Sequence, residues 1–340
     1  MLAIDPAQTR RIRRVSLGIR RATRMLTAMA GLIALTAASA QPLQAAESLV
    51  ITNYGISAVS LPWAVALEKG FIKQNGVEID GIIGSSGGGT TIRNFMASKL
   101  PVGQSSVSAA VAAIQQGLDI VLIYSPVNNA GGLSWMAPLQ SPYNTLNDLK
   151  GQKVAFSNPR STTEMVMRTI LKKTGLTKDV EMIASGGIPA GLTLLNQGAV
   201  AAAPIDQPAL MPPGKFKVVA AVNDYIPSLT WEIGITTRAF ALSRPDTVRG
   251  LVRAWRQAVD DVYAHPADAV KIYAKVFETN EEAAGKIVPQ LIASHFFSRG
   301  NFNRQGLEAM LDGMKLVGAI KENFDVDKVI DQSFLPQDLR

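Results

Sequence analysis

The chain has 340 residues, enough for two domains, and its 47% hydrophobic and 18% charged residues suit a well-packed globular protein. The formal net charge of +7 is concentrated in residues 1–46, which hold seven of the 34 basic residues and one of the 27 acidic ones. The rest of the chain therefore has no basic excess with which to neutralise a nucleic-acid backbone. The absence of cysteine excludes disulfides, thiol chemistry and a lipoprotein attachment site.

The N-terminus has the organisation of an export signal. Seven arginines lie between positions 10 and 24, and an apolar run follows from Met25 to about Ala38. Small residues suitable for cleavage occur at Ala38-Ser39-Ala40 and again near Ala45-Ala46. We therefore predict a signal peptide over residues 1–46, cleaved near 40 or 46, and a periplasmic mature protein. A retained N-terminal anchor is the alternative, although the apolar run is short for a membrane span.

Short apolar runs alternate with helical patterns from residue 49 onward. The predicted strands of this part are Leu49–Asn53, Val77–Ile83, Leu100–Gln104 and Ile120–Tyr124. The predicted helices are Pro62 to about Gly70, Ile92–Ser98 and Val107–Gln116. Such alternation predicts a mainly parallel α/β sheet, in which ligands bind beyond the carboxyl ends of the strands.

A second α/β unit follows a crossover at residues 128–132. Its predicted strands are Leu133–Ala137, Val154–Phe156, Val180–Ala184 and Val218–Val222, with a returning strand at Trp231–Thr237. Ser161, with Glu164 three positions on, is a good helix N-cap at capping-box spacing. Three helices are predicted in the rest of the chain, one beginning at Ser243–Pro245, one at Pro266 and one marked by the apolar residues from Leu307 to Val317. We interpret their Met and aromatic stripes, such as that of Trp255 in the first helix, as core.

Polar turns follow several of the predicted strands and supply the candidate ligand-binding residues. Glycines let a ligand approach the backbone, and free amides at helix N-termini suit an anionic group. The candidates are Tyr54, Ser85, Ser86, Gly87, Ser105, Ser106, Arg160, Ser161, Thr162 and Asp206. Alternatively, Ser161 and Thr162 only cap a helix and Arg160 faces water. Trp63, Trp135 and Trp231 either stack on a flat ligand or pack in the core.

Motifs of catalysis and cofactor binding are missing from the sequence. No Gly-Lys-Ser/Thr closes the Gly-rich turn at residues 84–91. His265 and His295 are the only histidines, and neither has a partner at zinc-ligand spacing. The acids are scattered without the spacing of an acid/base pair. We therefore expect no catalytic activity, no metal and no cofactor.

Three segments in order resemble the nitrate/sulfonate/taurine-type solute-binding proteins of ABC importers. Residues 61–79 are similar to that family's "A-x-E-K-G-F-F…G-L-x-V" opening, and residues 146–155 to its "L-x-D-L-K-G-K-K-V-A". Ser161-Thr162, followed by residues 171–176, resembles its "S-T…L-x-x-x-G-L" segment. The resemblance covers roughly residues 49–280.

This resemblance implies a type II periplasmic-binding-protein fold of α/β class. Two lobes, each a mainly parallel sheet flanked by helices, would be joined by two hinge crossovers. Lobe one would comprise residues 47–128 plus 232–340, and lobe two residues 129–231. A ligand would be enclosed between the lobes and contacted by the strand-end turns named above.

The expected function is that of a monomeric periplasmic binding protein. It would capture a small organic anion, sulfonate- or carboxylate-like, and deliver it to an ABC permease in the inner membrane without catalysis. One alternative is an enzyme on the same fold acting on a pyrimidine or menaquinone-type precursor. Another is a binding protein that signals to a sensor kinase.

Overall fold

The computed structural model describes residues 47–206, 211, 214–320 and 324–340, and these form an α/β structure. The strands are β1 (Ser48–Thr52), β2 (Gly81–Ser85), β3 (Val102–Ser106), β4 (Ile120–Val127), β5 (Ser134–Pro138), β6 (Lys153–Phe156), β7 (Glu181–Ala184), β8 (Ala203–Ile205), β9 (Phe216–Ala221), β10 (Glu232–Thr237) and β11 (Phe297–Gly300). The predicted signal peptide lies outside the described residues.

The α-helices alternate with the strands until residue 237 and then dominate the chain. They are α1 (Leu61–Glu68), α2 (Phe71–Gln74), α3 (Gly88–Ala97), α4 (Val107–Gln115), α5 (Thr162–Lys173), α6 (Ile188–Asn196), α7 (Val222–Tyr225), α8 (Arg238–Ser243), α9 (Pro245–Ala264), α10 (Pro266–Val276), α11 (Glu281–Ala293) and α12 (Arg304–Leu316). In the described ranges, none of them is both long and apolar enough to cross a lipid bilayer.

Six strands form the first sheet, in the order β11-β4-β10-β3-β1-β2. β1 pairs in parallel with both β2 and β3, as the strand–helix alternation predicts. β10 is inserted antiparallel between β3 and β4, and β11 pairs antiparallel with β4. Both antiparallel strands belong to the part of the chain that returns from the second sheet, so four strands keep one direction and two oppose it.

The other five strands form a three-stranded sheet and a two-stranded sheet, which an isolated parallel bridge between Val154 and Ala202 joins; together they are called the second sheet. β5 lies between β8 and β9 and is antiparallel to both, while β6 and β7 pair in parallel. β6 is joined to the segment before β8 by two backbone hydrogen bonds. The Ala155 amide donates to the Ala202 carbonyl at 2.9 Å, and the Ala201 amide donates to the Lys153 carbonyl at 2.8 Å. The predicted α/β class is therefore confirmed, with β5 as the one strand of opposite direction.

Two segments connect the sheets, residues 128–133 and residues 226–231. They run side by side, because the Leu229 amide donates to the Asn128 carbonyl at 3.0 Å. The Trp231 indole Nε1 donates to the Asn129 carbonyl at 3.3 Å. These segments are where the sequence predicts crossovers. The division into lobes at residues 128 and 232 stays a prediction.

An aromatic cluster organises the core on the α1 and α9 side of the first sheet. The Trp255 ring lies 5.5 Å from the Trp63 ring and 5.2 Å from the Tyr124 ring, measured between centroids. All three side chains are buried. Trp255 belongs to the apolar stripe of α9 that the helical periodicity indicates, and the stripe is buried along its length.

Several element boundaries differ from the predicted ones in ways that matter for the site. α3 begins at Gly88, so Gly88 and Gly89 of the predicted turn are already helical. Ser105 and Ser106 belong to β3 itself and do not follow it. α11 and β11 have no counterpart among the predicted elements, because neither has a distinctive pattern in the sequence.

Candidate ligand-binding cleft

A cavity of about 520 Å³ opens between elements of the two sheets. The first sheet contributes Thr52 at the end of β1, together with the N-terminal turns of α3 and α4. The second sheet contributes the β6–α5 turn and Asp206, just after β8. Trp231 is the last residue of the returning crossover, and Glu232 is the first residue of β10. The volume suits a small-molecule site, and the strand ends are where an open α/β sheet binds ligands.

The N-terminus of α3 presents uncapped amides to this cavity. Its N-cap, Gly87, has a φ of +76° and provides no side-chain cap. The Gly87 amide donates to the Asn53 Oδ1 atom at 3.2 Å, which fixes the turn. Gly88, Gly89 and Thr90 line the cavity, and the amides of a first helical turn have no partner within the helix. This turn can therefore donate hydrogen bonds to an anion.

The N-terminus of α5 faces the same cavity through hydroxyl groups. The Ser161 Oγ atom accepts a hydrogen bond from the Glu164 amide at 3.3 Å, so Ser161 is a helix cap as its spacing predicts. The Glu164 carboxylate accepts from the Arg160 amide at 2.6 Å, one residue before the partner that a standard capping box would use. Ser161 and Thr162 also line the cavity, so capping and ligand contact are compatible.

α4 contributes a third N-terminus. The Ser106 Oγ atom accepts from the Ala109 amide at 3.3 Å, and Ser108 and Ala109 both line the cavity. The Val107 amide is used elsewhere, because it donates to the Trp231 carbonyl at 3.0 Å. The positive ends of three helix dipoles thus meet at one cavity, an arrangement that stabilises negative charge.

Two carboxyl groups line the cavity as well. Asp206 accepts a hydrogen bond from the Ser57 Oγ atom at 3.2 Å. Glu232 is only 2% exposed, and its Oε2 atom has no hydrogen-bond partner among the residues that the structure describes. Burial raises the pKa of Asp206, and burial together with the Asp206 charge raises the pKa of Glu232 well above its ordinary value. Ser57 partly offsets the effect at Asp206, since its hydrogen bond favours the charged form.

A buried polar layer lies beneath these carboxyl groups. The Trp63 indole Nε1 donates to the Tyr124 hydroxyl at 3.1 Å, which in turn donates to the Gln104 Oε1 atom at 3.0 Å. The Gln104 Nε2, Ser105 Oγ and Tyr273 hydroxyl atoms have no hydrogen-bond partner within the described ranges. Burial and the charge of Asp206 raise the pKa of Tyr273, which keeps it protonated and able to donate.

Most of the sequence-predicted site residues come together at this cavity. Those that line it are Ser86, Gly87, Ser106, Arg160, Ser161, Thr162 and Asp206. Of the three tryptophans considered as stacking residues, Trp231 lines the cavity, whereas Trp63 and Trp135 are buried in the core.

The other three predicted residues do not line the cavity. Ser85 is buried, and its Oγ atom accepts from the Asn94 side chain at 2.8 Å. Ser105 is buried within β3, where alternate side chains point to opposite faces and Ser106 takes the cavity side. Tyr54 is partly buried and packs on the aromatic core beside the turn. The ligand contacts of all ten residues remain a prediction.

Sequence reasoning missed several cavity residues, of which Glu232 matters most. An acid opening an otherwise apolar strand is the signal that could have found it, because a buried carboxyl group without a partner is rare outside functional sites. Asn53, Arg93 and Ser157 also line the cavity and were missed. They flank the predicted turns by one to three positions, within the usual uncertainty of element boundaries.

The raised pKa of Glu232 predicts how stability depends on pH. Between the ordinary carboxyl range and the raised value, the folded chain keeps a proton that the unfolded chain has lost. The free energy of unfolding should therefore fall as pH rises through this window, by about 1.4 kcal/mol for each unit by which folding raises the pKa. Glu232→Gln should remove this loss. The free energy of unfolding of the variant, relative to that of the wild type, should therefore be higher at pH 8 than at pH 5.

Urea unfolding of both proteins at pH 5 and pH 8 measures the difference directly. Glu308→Gln is the matched control, since Glu308 is exposed on α12. A pH dependence of Glu232→Gln identical to that of the wild type would contradict an elevated pKa at this position.

Comparison with solved structures identifies the fold around this cleft. The aliphatic sulphonate binding protein SsuA from Escherichia coli aligns with a TM-score of 0.69 at 16% identity, covering 84% of this chain and 92% of that one. The alkanesulfonate-binding protein SsuA from Xanthomonas axonopodis pv. citri, solved bound to MOPS, gives 0.69 at 17% identity, with 87% and 100% covered. The chain thus has the periplasmic-binding-protein fold predicted from its sequence.

The family is shown by the sequence itself. The family model described as NMT1/THI5 like matches residues 57–269, more than half of the chain, so the protein belongs to this family. Together with the SsuA structures, this confirms the predicted resemblance to sulfonate-type binding proteins. No curated protein gives a significant match.

The same fold also carries an enzyme. The desulfurization enzyme DSZB aligns with a TM-score of 0.62 at 15% identity, covering 85% of this chain and 97% of that one. The fold alone therefore does not decide between binding and catalysis, and the function has to be argued from the chemistry of the cavity.

Proposed function

We propose that the protein is the periplasmic substrate-binding component of an ABC importer, which captures a small organic anion and delivers it to a permease in the inner membrane. The observation that carries the proposal is the convergence of the α3, α4 and α5 N-termini on one cavity. A sulfonate or carboxylate would accept hydrogen bonds from these amides and from the Ser161 and Thr162 hydroxyls.

Electrostatics support an anion at this end of the cavity. Arg93 and Arg160 line it beside the helix N-termini. The exposed Arg93 guanidinium already donates to the Thr90 hydroxyl at 2.9 Å, so it is held next to the α3 amides. An anion there would receive hydrogen bonds from charged donors, which are stronger than those from neutral ones.

Binding without catalysis is the reading that the residues favour. The cavity of the described structure contains no histidine, and the chain has no cysteine anywhere. The proposal includes a monomeric protein exported by the N-terminal signal, with closure of two lobes around the ligand presenting a surface to the permease.

A thermal-shift screen of the purified protein tests the proposal. MOPS, alkanesulfonates, carboxylates and aminopyrimidines are added separately, and a ligand that prefers the folded state raises the melting temperature in a saturable way. We expect a sulfonate or carboxylate to raise it and to be recovered unchanged. Consumption of the compound would instead indicate the enzyme, and a response confined to neutral or purely cationic compounds would contradict the anion site.

Replacing Ser161 by alanine separates its two roles. Ser161→Ala should weaken binding of the anion found in the screen by about 1–2 kcal/mol, because a hydroxyl donor to a charged group is lost. Asn280→Ala is the control: Asn280 caps α11, accepts from the Ala283 amide at 2.8 Å and does not line the cavity. It should cost about 1 kcal/mol of stability and leave affinity unchanged. A Ser161→Ala variant with lower stability and unchanged affinity would make Ser161 a helix cap only.

A further inference from the structure

The cavity has a second polar region, formed by carboxyl groups, that does not suit an anion. Asp206 and Glu232 both line it. Burial raises the pKa of each carboxyl group, and the charge of Asp206 raises the pKa of Glu232 further. No basic side chain among the described residues contributes to the pKa of either carboxyl. Burial without a cationic partner favours the protonated form of both carboxyl groups, and a cationic group entering the cavity would stabilise their charged forms.

The hydrogen bonds around the pair are incomplete in a specific way. From the described residues, Asp206 receives one hydrogen bond, from Ser57, and the Glu232 Oε2 atom, which protein shields from solvent, receives none. The Tyr124 hydroxyl donates to Gln104. The Gln104 Nε2, Ser105 Oγ and Tyr273 hydroxyl atoms make no hydrogen bond within the described part of the chain, so none of them donates to the carboxyl pair. The carboxyl oxygens are thus acceptors that still need donors.

We propose that Asp206 and Glu232 form a recognition site for a cationic nitrogen of the ligand. An ammonium group carries three N–H donors and a positive charge, which match the open acceptor positions and the uncompensated carboxyl groups. The α3, α4 and α5 N-termini would hold an oxyanion of the same molecule, so this inference rests on the proposed function. The two carboxyl groups then determine specificity: they favour a ligand that bears both charges over one that bears only the anion.

Discrimination against a plain anion follows from the same geometry. A ligand with an alkyl end would cover Asp206 without donating to it, which would deepen the desolvation of Asp206 and leave the Glu232 Oε2 atom unsatisfied. A site built to pair with a polar group rejects an analogue that lacks it more strongly than a hydrophobic site rejects an added group. The carboxyl pair therefore attracts a ligand that carries a cationic nitrogen and disfavours one that carries only the anion.

Calorimetric titration with matched probe pairs tests the inference. The probes are straight-chain sulfonates and carboxylates of about two to six carbons, each compared with the same chain carrying a terminal amine. At least one amine-bearing acid should bind ten-fold or more tightly than its plain counterpart at neutral pH. Glu232→Gln and Asp206→Asn should each reduce this preference to less than about three-fold, whereas Glu308→Gln should keep it.

The outcomes distinguish a failure of this inference from a failure of the proposed function on which it rests. Equal affinity for plain and amine-bearing acids would overturn the nitrogen site and leave the anion-binding function standing. A preference that survives unchanged in both folded carboxyl variants would also overturn it. Failure of every probe in both series would overturn the proposed function and the inference together. Far-ultraviolet circular dichroism and melting temperature establish that each variant is folded.

Discussion

Gly88→Ala is expected to weaken anion binding at least ten-fold and to destabilise the protein by about 1–3 kcal/mol. A Cβ atom at this position would lie 2.5 Å from the Ala109 Cβ atom and 2.3 Å from the Ser106 Oγ atom. Ser106 could rotate only by giving up its cap on the Ala109 amide, and the Ala109 methyl is fixed to the α4 backbone. The N-termini of α3 and α4 would therefore have to move apart, which misplaces the amides that converge on the cavity.

Gly89→Ala provides a control on the neighbouring residue of the same helix. A Cβ atom there would meet only the Arg93 Nη1 atom, at 3.9 Å. Both substitutions add one methyl group and raise helix propensity alike, so only the close approach to α4 separates them. Titration with the anion selected by the thermal-shift screen gives the affinities, and urea unfolding gives the stabilities. Equal effects of the two substitutions would show that the close packing of α3 on α4 does not position the anion site.

The sequence predicted well the features that depend on local periodicity. The stripe of α9 and the cap at Ser161 need only residues close together in the chain, and both are found as predicted. The rule that ligands bind at strand ends then placed most of the candidate residues correctly, because β1, β2 and β3 are parallel and end at one edge. The role of Gly88 could not be predicted from local patterns, because it depends on close contact with Ser106 and Ala109, about twenty residues further along the chain.

Features set by distant parts of the chain could not be predicted. Glu232 reaches the cavity because β10 inserts between β3 and β4, pairing Glu232 with Ser106 across the sheet. No pattern within residues 232–237 states which strands they will join. Ser105 was predicted on the ligand side for a related reason, since a shift of one residue in where β3 ends moves its side chain to the other face. Both cases concern strand register and order, which tertiary packing decides.

Trp135→Ala should cost about 3–5 kcal/mol of stability, the largest loss that we expect from a single side chain of the second sheet. Trp135 is fully buried in β5, the central strand between β8 and β9. Its indole Nε1 donates to the Ala155 carbonyl of β6 at 2.8 Å, so the ring fills the core and also links two parts of the sheet. Truncation to alanine would leave a large cavity that rigid neighbouring strands cannot close, and would remove the donor as well.

Trp135→Phe separates packing from hydrogen bonding. Phenylalanine keeps much of the aromatic bulk but has no donor, so this variant should lose only about 1–3 kcal/mol, the cost of leaving the Ala155 carbonyl without this partner together with a smaller void. Urea unfolding, followed by circular dichroism at one fixed pH, gives both values. Similar losses for the two variants would assign the stabilisation mainly to the hydrogen bond, whereas a loss below 1 kcal/mol for Trp135→Ala would contradict a close-packed core beneath β5.

Because α5 and Asp206 are both anchored on this sheet, a Trp135→Ala protein should also bind the anion more weakly, in proportion to the fraction of molecules that remain folded.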